Sequence, residues 1–105
     1  MEKNQYNKEG KRDGLWESYF ANGQLMKRGN YVDGMRLGLW EGWFSNGNLC
    51  YITNYNIGKY NGYYEEYYNN GQLYTKGHFV NDEYVGYWVY YKMNGDISKI
   101  YYYII

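Results

Sequence analysis

Proline is absent from the 105 residues, and cysteine, histidine and alanine each occur once, as Cys50, His78 and Ala21. A single cysteine rules out an internal disulfide framework and agrees with a reducing compartment. One histidine rules out a two-histidine metal site. With alanine nearly missing and other good helix formers scarce, the chain has little to build helices from. No apolar run approaches the roughly 18 residues that a membrane-spanning helix requires, and Met1-Glu2-Lys3-Asn4-Gln5 lacks the apolar stretch of a signal peptide, so the sequence reads as soluble and cytoplasmic. Charge of one sign is lacking too. Eleven basic and eleven acidic residues cancel, leaving no field to draw in a polyanion, and nucleic acid is not an expected partner.

What the chain has in quantity is tyrosine, 18 residues of it, with 14 glycines and many asparagines. Aromatic side chains fit a pleated, half-buried surface, and glycine with asparagine supplies turns. A fixed period organises them. Gly14, Gly38, Gly62 and Gly86 stand 24 residues apart, each followed eight residues later by Asn-Gly, at Asn22-Gly23, Asn46-Gly47, Asn70-Gly71 and Asn94-Gly95. Other positions repeat in chemistry: Trp16, Trp40, Tyr64 and Trp88; Tyr19, Trp43, Tyr67 and Tyr91; Leu25, Leu49, Leu73 and Ile97; Tyr31, Tyr55, Phe79 and Tyr103.

Asn-Gly between two apolar-rich runs is the strongest short-range hairpin signal, because a type I′ turn needs positive φ at both central residues. A two-residue loop sets Phe20 against Leu25, Ser18 against Lys27, Trp16 against Gly29 and Gly14 against Tyr31, covering glycine with an aromatic. On the second face it sets Glu17 against Arg28, Glu65 against Lys76 and Val89 against Ile100. A three-residue loop, Ala21-Asn22-Gly23 with a glycine bulge, is the competing geometry and shifts these pairs by one. The expected fold is all-β with essentially no helix: four 24-residue hairpins, eight strands in all, in an elongated, twisted antiparallel meander sheet. Residues 1–9 form an N-terminal cap segment and residues 10–105 a single repeat domain with units starting near 14, 38, 62 and 86. No unit is large enough to bury its own apolar face, so stability must come from neighbour on neighbour.

The pattern Gly-Leu-Trp-Glu-x-Tyr/Trp-Phe-x-Asn-Gly-x-Leu resembles the MORN repeat, and most nearly the bacterial variant in YwqK-type antitoxins of toxin-antitoxin systems, over residues 10–105. The resemblance implies a scaffold, an antitoxin or a lipid-associated module, with no catalytic residue carried by the repeat. The fourth unit departs from the pattern at Val89, Lys92 and Met93.

Catalytic, cofactor-binding and metal residues are not expected. Cys50 and His78 occupy positions filled elsewhere by Met26, Tyr74 and Ser98 and by Asn30, Asn54 and Tyr102, which marks them as ordinary strand residues. Glu65 and Glu66 are adjacent and point to opposite faces of a strand, so they cannot serve one substrate as acid and base. Asp82-Glu83 falls in a turn, and no Gly-Lys-Ser/Thr follows a glycine-rich stretch.

Function is therefore sought where the units disagree. Positions 18, 26 and 28 of the first unit vary most, and 26 and 28 are expected to share a face with the Tyr19 series. The candidate partner-binding residues are Tyr19, Trp43, Tyr67, Tyr91, Met26, Tyr74, Arg28 and Lys76, a mixed aromatic and polar set suited to protein recognition. The uncharged β-prone end, Tyr101, Tyr102, Tyr103, Ile104 and Ile105, is a second candidate, for edge pairing in a homodimer or with a partner strand. The expected partner is another protein, such as a toxin. A lipid- or small-ligand-binding sheet is the alternative, with Lys8, Lys11, Arg12, Lys27, Arg28 and Arg36 as its basic edge.

Overall fold

A computed structural model describes residues 2–104. Nine strands run β1 (Gln5–Tyr6), β2 (Arg12–Tyr19), β3 (Leu25–Val32), β4 (Met35–Trp43), β5 (Leu49–Asn56), β6 (Lys59–Tyr67), β7 (Leu73–Val80), β8 (Glu83–Tyr91) and β9 (Ile97–Tyr103). Each pairs antiparallel with the next in one sheet, and the described residues contain no helix. The all-β hairpin meander read from the repeat is thus the observed fold. The ninth strand is β1, which lies before the first repeat. The molecule is a plate, 47 × 38 × 17 Å, with a radius of gyration of 15.5 Å against about 13 Å for a compact globule of this length.

The turns differ from expectation in an informative way. At the first Asn-Gly, the Phe20 N–H donates to Gln24 O and the Gly23 N–H to Phe20 O, at 2.8 and 2.9 Å. Only Gly23 has positive φ, 87°. This is a three-residue loop closed by a left-handed glycine, not a type I′ turn. Tyr19 faces Leu25, so the expected pair of Phe20 with Leu25 does not form. The return strand then bulges by one residue, which cancels the shift. Ser18 with Lys27, Trp16 with Gly29, Gly14 with Tyr31, Glu17 with Arg28, Glu65 with Lys76 and Val89 with Ile100 all pair as the two-residue register required.

Asparagine recurs in these loops for its amide. Asn22 Oδ1 accepts the Gln24 N–H at 2.9 Å while Nδ2 donates to Ser45 O of the next tip at 3.0 Å. Asn46 and Asn70 repeat this, donating to Asn69 O and Met93 O. The two-residue turns with positive φ at both positions lie between units instead, at Asp33-Gly34, Ile57-Gly58 and Asn81-Asp82.

One face of the sheet covers itself. Trp16, Tyr31, Trp40, Tyr55, Tyr60, Phe79, Trp88 and Tyr103 form a ladder of rings across the strands, with Trp16 to Tyr31 at 5.9 Å, Tyr31 to Trp40 at 5.0 Å and Phe79 to Trp88 at 4.8 Å. Tyr31, Trp40, Phe79 and Trp88 are the buried apolar core, with Thr53 and Thr75 beside them. Trp40 and Trp88 lean onto the preceding hairpin, each over a glycine of its return strand. A Cβ on Gly29 would lie 2.1 Å from the Trp40 ring, and one on Gly77 2.2 Å from the Trp88 ring, so only glycine admits these indoles. Trp40 Nε1 donates to Asn30 O and Trp88 Nε1 to His78 O, at 3.0 and 3.1 Å. Trp16 has no preceding repeat and donates to Gln5 O on β1, with Tyr6 edge-on at 5.2 Å. That is what the extra strand provides.

Candidate partner-binding surface

The opposite, open face carries three rows of side chains. Through its middle run directly paired residues, Glu17, Arg28, Glu41, Ile52, Glu65, Lys76, Val89 and Ile100. The row begins in charge and ends in hydrocarbon. Lys3 bonds Glu17 at 2.8 Å, and Arg28 reaches Glu41 of the next hairpin at 3.1 Å, closer than Glu17 at 3.9 Å. Nearer the loop tips lie Tyr19, Trp43, Tyr67 and Tyr91, paired with Leu25, Leu49, Leu73 and Ile97. Glu65 accepts hydrogen bonds from both Tyr63 and Tyr67. Burial, and then this bond to a carboxylate, raise the Tyr67 phenol to about 12. Arg28 lies 5.5 Å from the Trp43 ring centroid.

Six of the eight residues proposed from the sequence, Tyr19, Trp43, Tyr67, Tyr91, Arg28 and Lys76, thus share the open face. Met26 and Tyr74 do not. Because the return strand bulges next to them, they turn to the ladder face, where Met26 lies with Trp16 and Trp40 and Tyr74 packs on Tyr90 at 5.6 Å. In the edge group, Tyr102 is on the open face, while Tyr101 and Tyr103 turn to the ladder face; Ile104 is 86% exposed, and Ile105 lies outside the described residues. Lys27 and Arg28 point to opposite faces, which splits the basic edge.

The third row lies toward the inter-unit turns, and of its residues only Tyr102 is expected from the sequence, as part of the pairing edge. It holds Leu37 and Leu39 (51% exposed) on β4. Beyond Asn54 and His78 it holds Tyr87 (67%) and Tyr102 (61%), whose ring centroids lie 4.7 Å apart and which join Ile100 (53%) of the middle row in an apolar patch on β8 and β9. Its only signal in the sequence is apolar residues in phase opposite to the tryptophans.

No group of three or more His, Cys, Asp or Glu side chains able to hold a metal ion occurs among the described residues. Burial, and then the negative charge of Glu66, push the Cys50 thiol up. Cys50 is the bulge residue of its strand, like Met26 and Tyr74, and lies on the ladder face, whereas His78 lies on the open face with the Tyr63 ring centroid at 5.5 Å. Glu65 and Glu66 turn to opposite faces, the first bonded to Tyr63 and Tyr67, the second to Tyr64. No helix of the described residues is long and apolar enough to cross a membrane.

Residues 12–33, 36–56 and 60–81 match the family described as the MORN repeat variant, together more than half of the chain. Each match is one hairpin: β2–β3, β4–β5 and β6–β7. The hairpin β8–β9, with the departures at Val89, Lys92 and Met93, lies outside the matches. No curated protein and no solved structure matches the chain.

Proposed function

Since the chain belongs to the MORN repeat variant family, we propose that it is a non-catalytic scaffold whose open face docks another protein. The observation that supports this is the difference between the two faces of a one-layer sheet. The ladder face spends its rings on one another, whereas the open face keeps an exposed apolar patch on β8 and β9, formed by Tyr87, Ile100 and Tyr102, and such a patch on a small protein marks an interaction surface. Aromatic anchors beside a charged row suit a protein partner.

The finer reading is an antitoxin that covers the active site of a toxin. Co-expression with the product of the adjacent gene tests it. Relief of growth arrest by the wild-type chain is expected, together with loss of relief for Trp43→Ala, Tyr67→Ala and Tyr87→Asp variants whose melting temperatures stay close to that of the wild type. A large fall in melting temperature at Trp43 and Tyr67 would instead assign them to the core. The lipid alternative predicts salt-sensitive co-sedimentation with anionic vesicles, which the protein-docking reading does not. A second contact is favoured by β9, whose residues Ile97 to Tyr102 are all exposed: pairing of this strand with a copy of itself. Sedimentation should show a dimer that Ile100→Lys dissociates.

A further inference from the structure

The ladder face holds a repeated pit between hairpins whose contents change from unit to unit. In the first unit its walls are Trp16, Tyr31 and Trp40, its rim Met26 and Arg12, and its floor the facing pair Ser18 and Lys27. Glu17 also borders it, but its carboxylate accepts from Lys3 and Tyr19 of the open face. In the second unit the floor pair is Gly42 and Tyr51, and the Tyr51 ring lies so close over Gly42 that a Cβ there would be 2.1 Å from it. The phenol fills the pit. In the first unit lysine replaces that phenol, and a cavity of about 340 Å³ remains. The third unit also leaves the pit open, at about 360 Å³, but lines it with Glu66, Thr75 and phenols.

The two open pits therefore differ in charge. The first has two cations, Arg12 and Lys27, and neither forms an ion pair among the described residues. Arg12 is held flat, its guanidinium 4.6 Å from the Trp16 centroid, and it donates to Tyr31 Oη at 3.1 Å, which leaves further N–H donors free. Ser18 Oγ, on the floor, is the one buried side-chain polar atom among the described residues that lacks a hydrogen-bond partner. Such an atom costs free energy unless something bonds it. Indole walls, two unneutralised cations and an orphan hydroxyl converge on a volume at the low end for ligand sites.

We propose that this first-unit pit binds a small organic acid, an oxyanion on a flat apolar body. The ring lies against the indoles, and the oxyanion accepts from Lys27 Nζ, Arg12 and Ser18 Oγ. The site is on the face opposite the proposed protein-docking surface, so the two readings stand or fall separately.

Amide and indole NMR spectra of the full chain, titrated with benzoate and phenyl phosphate, test this, with benzyl alcohol and inorganic phosphate as controls. Saturable shifts at Ser18, Lys27 and the Trp16 indole are expected with both acids in the millimolar range. The neutral control should bind about tenfold more weakly, in line with the loss of charge-assisted hydrogen bonds, and so should the Lys27→Met variant. The double variant Ser18→Gly/Lys27→Tyr copies the filled floor of the second unit, an arrangement this sheet already accommodates, and should abolish the shifts with spectral dispersion intact. Equal shifts from benzyl alcohol would overturn the proposal, as would equal shifts from inorganic phosphate, which would signal an adventitious ion only. Unchanged binding in the double variant, or no saturable shift with either acid, would overturn it as well.

Discussion

Ile57 is held at φ 45° in the two-residue turn between β5 and β6, where the equivalent positions are Asp33 and Asn81. A β-branched side chain in the left-handed region strains the backbone by roughly 1–2 kcal/mol, a cost that asparagine largely avoids. Ile57 is 47% exposed, so little burial is lost on replacing it. Ile57→Asn should raise the unfolding free energy by about 1 kcal/mol, read as a higher urea midpoint at unchanged slope. At the other end of the chain, Glu17 titrates below its ordinary 4.5, first because Lys3 donates to it and then because Tyr19 does. A depressed carboxylate stabilises the fold above its ordinary value, and that contribution is lost as pH falls through the lower folded value. Lys3 is pushed up to about 12 by its bond to Glu17 and then by its bond to Tyr19 Oη, so its share is present below its ordinary 10.5 and lost as pH rises through 12. In water the pair is screened and its stabilisation small. Carboxyl NMR should place the Glu17 midpoint below 4.5, and Lys3→Met should move it upward; an unmoved midpoint would remove Lys3 as the cause.

Between elements, the decisive fit is an indole on the backbone of the preceding hairpin. Gly29 receives Trp40 and Gly77 receives Trp88, while the middle junction pairs Thr53 with Tyr64, whose smaller ring leaves room for a side chain. Gly29→Thr alone should cost about 3 kcal/mol through overpacking. Joined with Trp40→Tyr it reproduces the middle junction, and the cycle should show about 1–2 kcal/mol of favourable coupling in denaturant titrations; simple additivity would mean that the ring is not pressed on the glycine. The period of 24 made the hairpins legible, and the cross-strand matches of charge with charge fixed their register. The turn types were not legible, because Asn-Gly serves equally a type I′ pair and a glycine-closed three-residue loop, and the bulge that reconciles them adds no residue of distinctive kind. That bulge also moved Met26 and Tyr74 off the face where alternation had placed them. The ninth strand was hidden because Gln5 and Tyr6 sit 25 residues before Asn30 and Tyr31, their turn being one residue longer.

At the scale of the molecule, a one-layer plate has no second sheet to bind distant strands together. Each strand packs substantially only on its sequence neighbours, so stability is close to a sum of hairpin terms and junction terms, as in other linear repeats. Weakening one junction should then loosen the array on one side of it and not uniformly. The junction of β7 and β8 depends on Trp88 over Gly77 and on the Trp88 Nε1 bond to His78 O. Beyond it lies a hairpin whose last strand is exposed along most of its length. Gly77→Ala should therefore lower the opening free energy of β8–β9 amides by about 2–3 kcal/mol, while β4–β5 amides keep most of their protection, as measured by native-state hydrogen exchange. An equal drop across all strands would show that the sheet opens as a single unit. In that case the exposed apolar patch on β8 and β9 would belong to a rigid platform, and a partner docking there would not have to order the C-terminal hairpin on binding.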